Sequence, residues 1–329
     1  MANERFKAKQ RPDSNVNAVK VSSLVAILTL LAGCAQTHAV PVVATAATHR
    51  AAALARHRGP LLYVADAGND SVTFFSYPLG KRISTLTGFG TARGLCVSKG
   101  GDVYVVDAQK SEILRYLHGA SSPSKVLYDQ EYAPNACALD PLSGTLAATL
   151  TSESKGPGVL AIFAHANGRP VYYGTATITN PAYCAFDDKG NLFIDGTDFK
   201  GNFALGMIPF GYRSVFNVKL NQTIAVPGGI QWDGTYLAVG DEGAGSNAST
   251  IYQFTINSTA TSAISGTLEG TVNLDDSSKV EQFSIDQSRV VGPNSGLTTV
   301  GYWHYPAGGA PERKIAGFEQ PIAAVVSGD

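Results

Sequence analysis

The sequence predicts an all-β fold of repeated four-stranded units, and three observations carry that expectation. Charged residues make up only 16% of the chain, and 35 of its 329 residues are glycine; low charge with abundant turn-formers favours a turn-rich β protein. A phrase recurs, "PNACALD" at 134–140 and "PAYCAFD" at 181–187, with a looser copy, "ARGLCVS", at 92–98. Each copy leads through a Gly-bearing turn into a second apolar run: "DVYVVD" at 102–107, "TLAATL" at 145–150 and "NLFIDG" at 191–196. Strand, tight turn and strand at intervals of 41–53 residues is the period of a β-propeller blade.

The chain opens differently. Residues 1–33 hold five basic groups (Arg5, Lys7, Lys9, Arg11, Lys20) against Glu4 and Asp13, leaving a net −4 for the remainder within an overall −1. After Lys20 comes "VSSLVAILTLLAGC". A basic segment, an apolar run of about a dozen residues and a small-residue end describe an export signal. The run is shorter than the ~20 residues that span a bilayer. Leu31-Ala32-Gly33-Cys34 resembles the lipobox of bacterial lipoproteins, which implies cleavage before Cys34 and lipidation of its thiol. Several acyl chains there would anchor the protein stably. Ala35 in the following position favours, by the same resemblance, the outer membrane of a Gram-negative envelope. Residues 34–58 are Ala- and Thr-rich without strand alternation and read as a tether.

Residues 59–329 hold the repeat. Inner-strand positions equivalent to the quoted cysteines are Cys96, Cys137, Cys184, Ile230, Phe283 and Ala324, six in all. Second strands also number six, but their series starts earlier, at "LLYVAD" (61–66), and the inner strand "PIAAVVS" (321–327) has no successor. The two ends of the repeat therefore complete one blade together, which removes open sheet edges. The prediction is a six-bladed propeller with terminal closure. Blade 5, with the longest interval, carries "DEGAGSNAST" (241–250) and "GTLEGTVNLDDSSK" (266–279) as expected insertions.

"LYVADAGNDSVTFFSYPLG" at 62–80 resembles the NHL repeat, and "APNACALDPLSGTL" is similar to inner strands of gluconolactonase-like and TolB-like propellers. "NDSV" lacks the basic residue usual in NHL repeats. The resemblance implies the propeller architecture over about 60–327; fold alone does not imply activity.

The three repeat cysteines, Cys96, Cys137 and Cys184, sit among small residues suited to the narrow axis of a propeller. Buried packing as small apolar groups is the expectation. Neighbouring sheets pack ~10 Å apart, yet narrowing toward the axis leaves a Cys96–Cys137 or Cys137–Cys184 bridge as the alternative. No zinc-type spacing, phosphate loop or catalytic motif is present.

Function is expected where loops of several blades meet, at the mouth of the axis. The loops entering inner strands bring Arg93, Glu131, Asn135, Asn180, Glu281 and Glu319; those leaving second strands bring Asp66, Asp107, Asp195, Asp241 and Glu242. Converging carboxylates and amides suit a divalent metal such as Ca²⁺ or a polar ligand. The gluconolactonase-like resemblance implies a divalent metal held by Glu, Asn and Asp, onto which only Asn135 in "PNA" maps. The competing reading is that the repeated aspartates cap turns through backbone hydrogen bonds. A lipid-anchored binding or scaffold module, taking a small molecule, glycan or protein, is the leading expectation, and a metal-dependent lactonase or hydrolase the alternative. The near-neutral charge points away from nucleic acid.

Overall fold

The computed structural model describes residues 59–129, 132–151, 158–175, 177–211, 213–243, 248–258 and 263–328. The signal, the tether, Cys34 and Glu131 lie outside them.

Among the described residues, twenty-four strands form six antiparallel units of four, each one blade. Blade 1 closes as the repeat predicts. Its inner strand Pro321–Ser327 pairs with Leu61–Asp66, which is followed by Ser71–Ser76 and Lys81–Leu86. The inner strands of blades 2 to 6 are Ala92–Val97, Ala133–Leu139, Asn180–Phe186, Pro227–Trp232 and the short Ser284–Asp286. Second strands are almost wholly buried, as in "LLYVAD", "VYVVD" and "LAVGD". Their continuous apolar runs are packed on both faces by adjacent blades. His118 holds the closure from the side of blade 2: one ring nitrogen is 2.7 Å from Ser327 Oγ, the other 3.1 Å from the Gly59 carbonyl.

Two features depart from the expectation. The stretch 266–279, anticipated as an insertion, is largely the outer strand of blade 5, Ile264–Asn273. It pairs antiparallel within its blade and parallel with Phe216–Leu220 of blade 4. Blades 4 and 5 thereby fuse into one eight-stranded sheet, which protects two outer edges at once.

The second departure corrects the expected role of the cysteines. Cys96 and Cys137 form a disulfide between neighbouring inner strands, with Cα atoms 5.6 Å apart, and Cys184 is left as a buried free thiol. Gly94 shows why the blades come so close. A Cβ on it would lie 2.5 Å from the Ala136 Cα and 2.7 Å from the Asn135 carbonyl oxygen. Backbone meets backbone there, and the generic ~10 Å sheet spacing no longer applies near the axis.

Candidate functional site

The upper face is defined by the loops entering inner strands and those leaving second strands; the lower face carries the turns between them. Five of the six inner strands are regular below and irregular above, while the short Ser284–Asp286 of blade 6 pairs without a break. Register breaks fall between Ala92 and Leu95, Pro134 and Ala136, Pro181 and Cys184, and Pro227 and Ile230. The closure pair breaks at the equivalent place, opposite Ala65 and Asp66. Bulges re-aim side chains, and the residues at these breaks include Arg93, Asn135 and Tyr183. Blade 5 has Gly228 and Gly229 instead, and a Cβ on Gly229 would lie 2.9 Å from the Glu281 carbonyl oxygen. That close approach carries the hydrogen bond from Gly229 N–H to Glu281 O, 2.9 Å.

Most sequence-predicted acids serve the backbone. Asp66 accepts the amides of Glu319 (2.9 Å) and Gln320 (2.7 Å) at the closure. Asp107 accepts those of Gly90 (2.8 Å) and Thr91 (3.0 Å), and Asp241 those of Ala225 (2.8 Å) and Val226 (3.1 Å). All three are buried. Each pins the loop that enters its own blade's inner strand, so its carboxylate oxygens are already engaged. Asn180 is exposed and donates to Thr197 Oγ1 (3.2 Å), and the exposed Glu319 takes part through its backbone amide. These five do not form a common site.

Asn135 and Glu281 do belong to one cluster at the upper mouth. Arg93 Nη1 donates to Asn135 Oδ1 at 2.5 Å, and Asn135 Nδ2 donates to the Ala182 carbonyl at 2.8 Å. Ser295 Oγ donates to Glu281 Oε1 at 3.0 Å. Burial pushes the Glu281 carboxyl above its usual range, opposed by Ser295, Arg93 and Lys279. Glu242, directly after Asp241, is pushed up to about 8 by burial and then by the charge of Glu281, with Lys279 opposing. Burial raises the Tyr183 hydroxyl well above its ordinary value, with Glu281, Glu242 and Asp195 adding to the effect. Beneath them, burial drives the Asp195 carboxyl strongly upward, against the hydrogen bond from Tyr183 N–H.

The sequence placed Arg93, Asn135, Asp195, Glu242 and Glu281 on the loops of this face. It gave no sign that Tyr183 joins them, because the bulge turns that side chain away from the strand's simple alternation.

Below the bulges all six inner strands line an axial cavity of about 280 Å³. The disulfide, Cys184, Ala138, Ala185 and Ile230 form part of its wall. Where the two halves meet, the Gln282 side chain accepts Leu95 N–H (2.9 Å) and donates to Leu95 O (2.6 Å). This amide pair ties blade 6 to blade 2 past blade 1.

No protein-family model matches the chain, and no curated protein matches it in sequence. Solved structures do. A chain of a nidogen/laminin complex aligns at 13% identity with TM-score 0.63, covering 82% of this chain and 98% of that one. A functionally unknown protein from Desulfotomaculum acetoxidans aligns at 12% identity with TM-score 0.56, covering 82% and 99%. The β-propeller domain of Cps50 (Swd1) from Myceliophteria thermophila aligns at 14% identity with TM-score 0.53, covering 80% and 85%. At such identities the likeness establishes the propeller fold alone.

Proposed function

We propose that this protein is an exported, lipid-anchored propeller that works as a binding or scaffold module in a bacterial cell envelope, with its ligand held at the upper mouth. The observation that carries the reading is the contrast among polar groups of that face. Asp66, Asp107 and Asp241 are satisfied by backbone amides, whereas Tyr183, Glu242 and Glu281 converge with raised proton affinities. Groups so perturbed, gathered from several blades in one place, are where binding is sought first. The Cys96–Cys137 disulfide agrees with an oxidising compartment, and the lipobox-like Leu31–Cys34 supplies the anchor. One similar structure is a nidogen/laminin complex, which lends the scaffold reading support by analogy of fold only.

The lactonase alternative has less behind it. It needs a metal held by converging ligands, and of the Glu, Asn and Asp that the resemblance implies only Asn135 maps onto the chain, where its amide is engaged by Arg93 and the Ala182 carbonyl.

Site-specific photo-crosslinking in cells tests the proposal. A crosslinker at Asn135 should capture a discrete envelope component, and one at Asp188 on the lower face should not. Capture only from the lower face, or lactone hydrolysis by the purified chain, would overturn it. Cys34→Ser should move the protein out of the membrane fraction; unchanged fractionation would refute the anchor.

A further inference from the structure

The cluster at the mouth contains one group that the architecture does not need. In blade 3, Thr149 stands across from the bulge. Its hydroxyl accepts Ala136 N–H at 3.1 Å and lies 2.9 Å from the Ala182 carbonyl, to which it donates. Blade 4 places Asp195 in the equivalent position, where Oδ1 accepts Tyr183 N–H at 2.9 Å. The second oxygen, Asp195 Oδ2, is fully buried and has no hydrogen-bond partner among the described residues. A threonine would do the structural task with its hydrogen bonds met. A buried carboxyl with an orphan oxygen is costly, and such exceptions call for a reason outside the fold.

We propose that the upper mouth is a receptor for an organic cation, a primary ammonium or guanidinium group, held between Glu242 and Glu281, with Asp195 beneath and the Tyr183 hydroxyl beside them. The inference rests on the upper mouth being the ligand site. Acidic groups that cannot jointly reach a single ion do not suit a metal of fixed, short coordination distances. An ammonium or guanidinium carries three to five N–H donors spread over its own volume, and so bridges acceptors set further apart.

The charged and titratable groups facing the site come from four blades. They are Arg93, Tyr183 with Asp195, Asp241 with Glu242, and Lys279 with Glu281, while blade 3 contributes the neutral Asn135. Arg93 is fixed on Asn135 and Asp241 on backbone amides. Lys279 is different. Its side chain is exposed, its backbone sits at φ +58°, and its charge favours the ionised forms of both Glu242 and Glu281. From its exposed position it partly offsets the charge of the two glutamates, and an arriving cation competes with it. The ligand's positive charge then replaces the proton that burial favours on Glu242, so binding releases about one proton.

The test is calorimetric titration of the full-length chain with butylammonium and agmatine, and in a second arm with a short lysine-containing peptide and its acetyl-lysine form. Expected are saturable binding of the cationic probes and none of the acetylated peptide. Affinity should rise roughly tenfold from pH 6 to pH 7, as release of about one proton requires. Glu242→Gln and Glu281→Gln should each weaken binding at least about tenfold, and Lys279→Gln should strengthen it. Thermal unfolding of each variant checks that it is folded. Tighter binding of the peptide than of the free amines assigns the cation to a protein partner; the reverse assigns it to a small molecule. Absence of saturable binding by any cationic probe up to about 10 mM, insensitivity to both glutamine variants, or Ca²⁺ binding in place of the amines would overturn the inference. If crosslinking from Asn135 persists in that case, the mouth remains the ligand site and only the cation assignment fails.

Discussion

The two halves of the axis are made by the same six strands, yet they differ in almost every physical respect. The lower half keeps the repeat: regular pairing, small apolar residues, a disulfide and a cavity of about 280 Å³. The upper half breaks it, with bulged backbone, arginine and tyrosine side chains turned inward, and carboxyls held above their usual proton affinity. Where all blades obey one pattern, the pattern builds the closed ring. Where a blade buries a costly group that the ring does not use, as at Asp195 in the place that blade 3 gives to Thr149, the group is a candidate for ligand contact.

The sharpest way to break this contrast is to cut the lower staple. Replacing Cys96 and Cys137 together by alanine should cost about 4 kcal/mol, the chain-entropy value for residues 41 apart in sequence. Cys184→Ala, in the equivalent position of the next blade, should cost only about 1–2 kcal/mol. Guanidinium unfolding compares the two, and equal losses would show that the disulfide does not staple the blades. Next in size comes the closure. Asp66→Asn weakens two charged hydrogen bonds across the seam and should cost about 2 kcal/mol. Asp198→Asn, whose carboxylate bonds only amides of its own exposed turn, should leave the unfolding midpoint essentially unchanged.

The upper half should reveal itself through pH. Glu242 is raised from its ordinary value to about 8, so between those values the native state holds a proton that the unfolded chain has lost. Its contribution to stability is therefore present at acid pH and lost as pH rises toward and through about 8. Thermal melts across that range should show the fall, and Glu242→Gln should flatten it. The smallest effect is also diagnostic. Asp195→Thr, which installs the blade 3 arrangement in blade 4, should leave stability unchanged or raise it by about 1 kcal/mol. A large loss would show that Asp195 is structural after all.

Much of the ring could be read from the sequence. The phrase containing Cys96, Cys137 and Cys184 marks one strand in successive blades, and the unpaired runs 61–66 and 321–327 foretold the closure. The bridge was harder to read, because three cysteines occupy equivalent positions and only local narrowing decides which pair meets. Gly94, two residues before Cys96, is the feature that permits it. The outer strand of blade 5 looked like an insertion because its partner across the blade boundary, Phe216–Leu220, is distant in sequence and parallel. Site residues were half legible. Loop position brought forward Asn135 and Glu281 together with Asp66, Asp107 and Asp241, whose carboxylates are taken up by backbone amides. Only the structure distinguishes a carboxylate saturated by backbone amides from one that is not.

The contrast between the two halves turns on Glu242 holding a proton near neutral pH in the folded protein. Titrating the side-chain carboxyl signals of the ¹³C-labelled full-length chain by NMR tests it directly. A glutamate signal titrating near 8 and missing from Glu242→Gln is the predicted result. If every glutamate titrates near the ordinary ~4.3, the mouth is a conventional solvated surface and the claim is contradicted.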